Sequence, residues 1–83
     1  MKKERVARVV FKRLDVRPII AQGVEPFPLI RSRVDALKAG EGLTLVAPFL
    51  PSPLIEKLRS EGFRSEAHHQ ADGAWVVNFR KDS

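Results

Sequence analysis

The chain of 83 residues contains no cysteine. This excludes disulfide frameworks, thiolate nucleophiles, persulfide carriers, iron–sulfur clusters and cysteine-ligated zinc, which together cover much of the chemistry of small domains. Long hydrophobic runs are missing as well. The longest apolar stretches fall far short of the roughly 20 residues of a membrane helix, and the opening MKKERVARVVFKRL interrupts its own apolar run with Lys12 and Arg13. Neither a membrane span nor a signal peptide is expected, and a soluble cytoplasmic protein is. There is no G-x-S-x-G, P-loop or Rossmann glycine pattern, no paired general acid and base, and no internal repeat. No residue stands out as catalytic, so neither enzyme activity nor a cofactor is expected. His68 and His69 form the one pair of metal-ligand type, but neighbours on a strand point to opposite faces and do not chelate one ion together, so no metal site is expected.

What is present suffices for one folded domain. Hydrophobic residues make up 43% of the chain, with five Phe and one Trp as bulky core pieces, and a chain this short buries about 60% of its unfolded surface around a single core. The formal charge of +5 is concentrated at one end: residues 1–13 hold Lys2, Lys3, Arg5, Arg8, Lys12 and Arg13 against Glu4 alone, and the rest of the chain balances nine basic against nine acidic residues. A basic arm over residues 1–13 thus overlaps the start of a domain over residues 6–81. The arm has two readings. It is a solvated tail and first strand kept soluble by its charges, or it contacts phosphates and gives weak, sequence-insensitive, salt-dependent binding to nucleic acid.

Residues 6–16 are rich in Val, Phe and Leu and predict a first strand ending before Pro18. A connection over residues 19–24 follows, flexible at Gly23. Glu25-Pro26-Phe27-Pro28 then marks a helix start, because proline is tolerated only in the first turn, where backbone N–H groups have no intrahelical partner. Phe27, Ile30, Val34 and Leu37 give this helix an apolar stripe, and Gly40 is expected to end it. Residues 43–49 predict a strand with Leu43, Leu45, Ala47 and Phe49 on one face. Ser52 as N-cap and Pro53 as first residue open a second helix, which stops at Gly62. Residues 63–69 and 74–81 predict two strands joined by a turn containing Asp72-Gly73. The order β-α-β-α-β-β implies an α/β (α+β) two-layer sandwich, a four-stranded mixed sheet with two helices on one face and Trp75 buried beneath them.

Leu14-Asp15-Val16-Arg17, then Gly23-Val24-Glu25-Pro26-Phe27-Pro28, and later Gly40-Glu41-Gly42-Leu43-Thr44-Leu45 resemble the TusA/SirA-like family, over roughly residues 14–80. That family's pattern is an L-D-x-R strand end, a glycine, Cys-Pro-x-Pro at the helix start and a later P-G-E-x-L segment. The resemblance implies the same fold, and in active members the Cys carries a persulfide for sulfur transfer. Glu25 stands at that position here, and a carboxylate forms no persulfide. The sequence therefore looks more like the SirA-like branch of unknown function, which often lacks the thiol.

The resemblance also implies a small cleft at the family's cysteine position, formed by Glu25, Asp15 and Arg17, beside a helix-start motif of Gly23, Pro26 and Pro28. Simpler structural roles stand beside it: Glu25 as a helix cap, and Asp15 with Arg17 as a local ion pair. On the open sheet face Val46, Val76, Asn78, Arg80 and Arg64 are expected, with Val9, Phe11 and Arg13 or their alternates. A mixed apolar and basic face of this kind suits a protein partner or self-association, and it equally suits an ordinary half-wet sheet face with no partner. Because the resemblance implies a retained fold without the thiol, a non-catalytic interaction or regulatory module on a TusA-like scaffold is expected. Nucleic-acid binding through the basic arm is the alternative, and Phe11 facing outward among arginines would favour it.

Overall fold

A computed structural model describes residues 9–81. The elements are β1 (Val10–Asp15), α1 (Arg17–Ala21), α2 (Phe27–Asp35), β2 (Glu41–Ala47), α3 (Ser52–Ser60), β3 (Phe63–His69) and β4 (Trp75–Lys81). The sheet order is β1-β2-β4-β3. β1 and β2 are parallel, whereas β4 runs antiparallel to both β2 and β3. The expected mixed sheet with helices on one face is present. β2 and β3 run in the same direction, as their helical crossover requires, with β4 inserted between them.

Strand alternation divides the sheet cleanly. Leu14, Leu43, Leu45, Ala47, Val77, Phe79 and Phe63 form one buried cluster with Ile30 and Val34 of α2 and Leu54 and Leu58 of α3. β2 is central and buried along most of its length, including Val46, which lies on the opposite face between Asp15 and Val76 yet is only 4% exposed.

Several boundaries differ from the sequence expectation, each for a local reason. The connection after β1 contains an additional helix, α1. It begins at Arg17 with Pro18 in its first turn, contains Ile19 and Ile20 packed against the core, and spans only five residues, too few to produce a periodic signal. α2 ends at Asp35 rather than near Gly40, because the Glu41 carboxylate accepts the Lys38 N–H at 2.9 Å and Glu41 N–H reaches Lys38 O at 2.9 Å, folding residues 38–41 into a turn. β2 stops at Ala47 and Phe49 does not join its face, since Pro48 supplies no ladder donor. Pro51, not Ser52, is the N-cap of α3, and no side chain caps that end; Ser52 N–H instead donates to Leu50 O at 2.9 Å.

Trp75 is half-buried rather than covered by helices. It lies opposite Ala47 and His69 at the end of the sheet, and its ring stacks on the His69 imidazole with centroids 4.3 Å apart. The β3–β4 turn forms as its Asp-Gly pair predicts: Gly73 N–H donates to Gln70 O at 3.0 Å, Gly73 takes φ +92°, and Asp72 Oδ1 accepts the Ala74 N–H. The first three residues of the expected first strand, 6–8, lie outside the described residues.

Candidate functional site

At the C-terminal end of β1 the chain turns directly into α1, and this turn brings Asp15 and Arg17 together. Asp15 Oδ1 accepts both the Arg17 backbone N–H and its Nε at 3.0 Å, and Oδ2 accepts Nη2 at 2.7 Å. The same carboxylate thus orders the first turn of α1 and pins the guanidinium. Arg17 Nη1 also lies 3.7 Å from Asp72 Oδ2 in the β3–β4 turn, and Arg13 Nη2 lies 3.8 Å from Asp15 Oδ2. The guanidinium hydrogen bonds hold the Asp15 carboxyl below the usual carboxylate range, and Asp15 in turn raises Arg17.

Glu25 belongs to the next turn. Gly23, at φ +77°, closes the end of α1 with its N–H on Ile20 O, and Val24 N–H reaches Ile19 O, both at 2.9 Å. The chain then enters α2 with Pro26 as N-cap and Pro28 in the first turn. Glu25 Oε1 accepts the Phe27 N–H at 3.1 Å, satisfying one of the helix's orphan donors.

Asp15, Arg17 and Glu25 therefore share one end of the sheet but lie on two sides of it. Asp15 and Arg17 form a closed ion pair tied to the β3–β4 turn. Glu25 instead lines an apolar cleft of about 190 Å³ on the helix side, between the first turn of α2, the end of β2 and the start of α3. The other lining residues include Val16, Ile20, Phe27, Ala47, Phe49, Pro51, Pro53 and Leu54, and among the described residues Glu25 is the only charged one in the lining. Phe27 is 40% exposed and Phe49 52%, with Val24 and Leu50 beside them in the chain also exposed. Sequence reasoning located Glu25 and Pro26 at a cleft, but it placed Phe49 in a strand and Pro53 at a helix start without bringing either to that cleft. The signal was the run Pro48-Phe49-Leu50-Pro51-Ser52-Pro53, whose prolines keep both apolar side chains out of a ladder or a helix interior.

The opposite sheet face has a different character. Register places Phe11, Gly42, Arg80 and Arg64 in one row across all four strands, and Arg13, Thr44, Asn78 and Glu66 in the next. Thr44 Oγ1 donates to Asn78 Oδ1 at 2.6 Å, and His68 Nε2 lies 3.8 Å from Glu66 Oε1. His68 and His69 thus point to opposite faces. Of the basic residues nominated for nucleic-acid contact, Arg13 is on this face and Lys12 turns away to Glu41 at 3.7 Å; Lys2, Lys3, Arg5 and Arg8 lie outside the described residues. A cavity of about 650 Å³ runs over the Phe11–Arg64 row. Among the described residues no three His, Asp or Glu side chains gather as a metal site, and no helix is long and apolar enough to cross a membrane.

The chain belongs to an uncharacterized conserved protein family, DUF2249, whose model matches residues 13–81. No curated protein and no solved structure matches it.

Proposed function

We propose that this member of an uncharacterized conserved family is a non-catalytic interaction module, and that its apolar cleft receives one hydrophobic side chain of a protein partner. The observation that carries this reading is the pairing of a preformed apolar cleft with exposed Phe27 and Phe49 at its rim. At about 190 Å³ the cleft is smaller than the roughly 300–1,000 Å³ of small-molecule sites, so a side chain suits it better than a cofactor. Its position beyond the carboxyl ends of the parallel strands β1 and β2 is the usual crevice of an open α/β sheet. The single carboxylate at its edge is engaged in capping α2 and has no acid or base partner in the lining, which supports binding over catalysis.

The protein-contacting surface moves, in this reading, from the open sheet face expected from sequence to the cleft, because exposed Phe27 of α2 and Phe49 of the β2–α3 loop meet there. The TusA-like scaffold assignment rests on the L-D-x-R and Pro-x-Pro segments and on the element order. It fits a cleft at the position where that family keeps its thiol, with the sulfur chemistry removed by Glu25.

Burying one Leu or Phe side chain of a partner contributes about 1.5–3 kcal/mol, enough for a weak peptide complex. Selection of a displayed random peptide library against the protein should enrich sequences sharing one large apolar anchor. Phe49→Asp, which alters an exposed residue outside the core, should lose them by at least about tenfold. Peptides retained equally by Phe49→Asp would contradict the assignment of the cleft.

A further inference from the structure

We propose that the chain pairs with a second copy of itself along the outer edge of β3, the two strands antiparallel, so that two sheets join into one continuous sheet. β3 ends the strand order β1-β2-β4-β3. It pairs with β4 over all of its length without a bulge, and every residue after Phe63 is exposed. Edge strands that stay single are commonly blunted by proline, lysine, a bulge or a covering element. Among the described residues β3 shows none of these. Its ladder also fixes which backbone groups face outward. Gln70 N–H donates to Ala74 O at 2.8 Å, which makes residues 70 and 74 a hydrogen-bonded pair. Antiparallel pairs alternate between bonded and non-bonded, so in the observed register Arg64, Glu66 and His68 direct their backbone groups to β4. Ser65, Ala67 and His69 direct theirs away from it.

One register satisfies backbone and side chains together. With Ala67 opposite Ala67 of the second copy, Ser65 meets His69, and the outward groups of both strands form about six inter-chain hydrogen bonds, two per bonded pair. Glu66 then stands opposite His68 of the second copy, and His68 opposite its Glu66. These are non-bonded positions, where Cα atoms come within about 4.5 Å and side chains touch. Within one chain His68 Nε2 already lies 3.8 Å from Glu66 Oε1, and both side chains are more than half exposed. The two-fold axis thus gathers two carboxylates and two imidazoles into one cluster of alternating acceptors and donors. Sliding one strand by two residues sets Glu66 against Glu66 or His68 against His68, which disfavours both neighbouring registers. On the other face, Ser65 and Ala67 are small and exposed, so the approach of a second strand is clear. The opposite edge of the sheet lacks this complementarity: β1 presents Lys12 and Arg13, and its Asp15 is already held by Arg17.

The test is sedimentation equilibrium of the full chain from about 10 μM to about 1 mM, where the mass should rise from that of one chain toward that of two. Ala67→Pro removes an outward N–H that the β3–β4 ladder does not use, and should raise the dimer dissociation constant at least about tenfold. Ala67→Lys leaves the backbone intact and sets two lysines against each other at the two-fold axis, so it should weaken the dimer about fivefold. His68→Glu opposes two pairs of carboxylates and should also weaken it about fivefold. Adding Glu66→Lys to His68→Glu restores opposite charges in that register and should return the constant to within about twofold of the unmodified chain. Thermal melting of each variant separates loss of fold from loss of the interface. A chain that stays monomeric throughout, a dimer indifferent to both Ala67 variants, or a double variant no tighter than His68→Glu would each overturn the proposal. The cleft lining includes no residue of β3, so Phe49→Asp should leave the mass unchanged, and the cleft reading stands or falls separately.

Discussion

Phe11 and Gly42 are direct partners across the parallel β1–β2 ladder, and the ring of one fills the space that a side chain on the other would need. An ideal Cβ on Gly42 would stand 2.6 Å from Phe79 O and 2.7 Å from Phe11 Cε1. The Phe11 ring can swing away, but the Phe79 carbonyl is fixed in the central β2–β4 pairing. Gly42→Ala should therefore cost about 2 kcal/mol through overpacking and lower Tm by roughly 10 °C in a domain of this size. Calorimetry of the variant checks this, and an unchanged Tm would mean that the Phe79 carbonyl does not crowd residue 42 as the β2–β4 pairing places it.

Acid should weaken the fold through four carboxylates. Arg17 holds Asp15 below its usual range, Arg31 does the same for Asp35 and Glu61, and the Lys38 N–H does so for Glu41. A depressed carboxylate binds its proton less readily in the folded chain than in the unfolded one. Its contribution is fully present above the unfolded value, about 3.9 for Asp and 4.3 for Glu, and is lost as pH falls through the folded value. Urea midpoints should be nearly constant from neutrality to about pH 5 and fall steadily below about pH 4. Arg31 bridges Asp35 at 2.7 Å and Glu61 at 2.9 Å, so Arg31→Ala should flatten that acid decline while lowering the plateau. An equally steep decline in the variant would remove this network from the account.

The sheet and its two longer helices were legible because their signals are local and redundant. Pro26 and Pro28 can occupy only a helix start, the alternation of Leu43 and Leu45 with Thr44 can serve only a strand, and Asp72-Gly73 suits a tight hairpin. Three features were illegible for equally physical reasons. α1 is shorter than two turns and leaves no period. The early end of α2 depends on the Glu41 carboxylate reaching the Lys38 N–H, a contact no pattern announces. The cleft joins Glu25 to Phe49 and Pro51 across elements distant in sequence, so only packing reveals it. The reading of Glu25, Asp15 and Arg17 as one cluster came from the family resemblance, and the fold separates it into a cap and an ion pair.

The position of Glu25 can be tested by making it a thiol. Glu25→Cys places sulfur where the Phe27 N–H now donates, at the positive end of α2, an environment that lowers a cysteine pKa below its free value of about 8.5. Arg59→Cys, in the last turn of α3, stands at the negative end of a helix, which favours the thiol. Iodoacetamide alkylation at neutral pH should be several-fold faster for Glu25→Cys, with the midpoint of its rate profile shifted to lower pH. Removing the cap should cost about 0.5–1 kcal/mol of stability. Coincident pH–rate profiles for the two variants would place residue 25 away from the helix start.

The apolar cleft as a protein-binding site is tested most directly by amide chemical-shift mapping of the 15N-labelled protein titrated with a peptide selected against it. The account predicts saturable shifts centred on Val24, Phe27, Phe49 and Leu54, with Phe11, Asn78 and Arg80 on the opposite sheet face unmoved. Shifts centred on the sheet face, or scattered shifts that do not saturate, would contradict it.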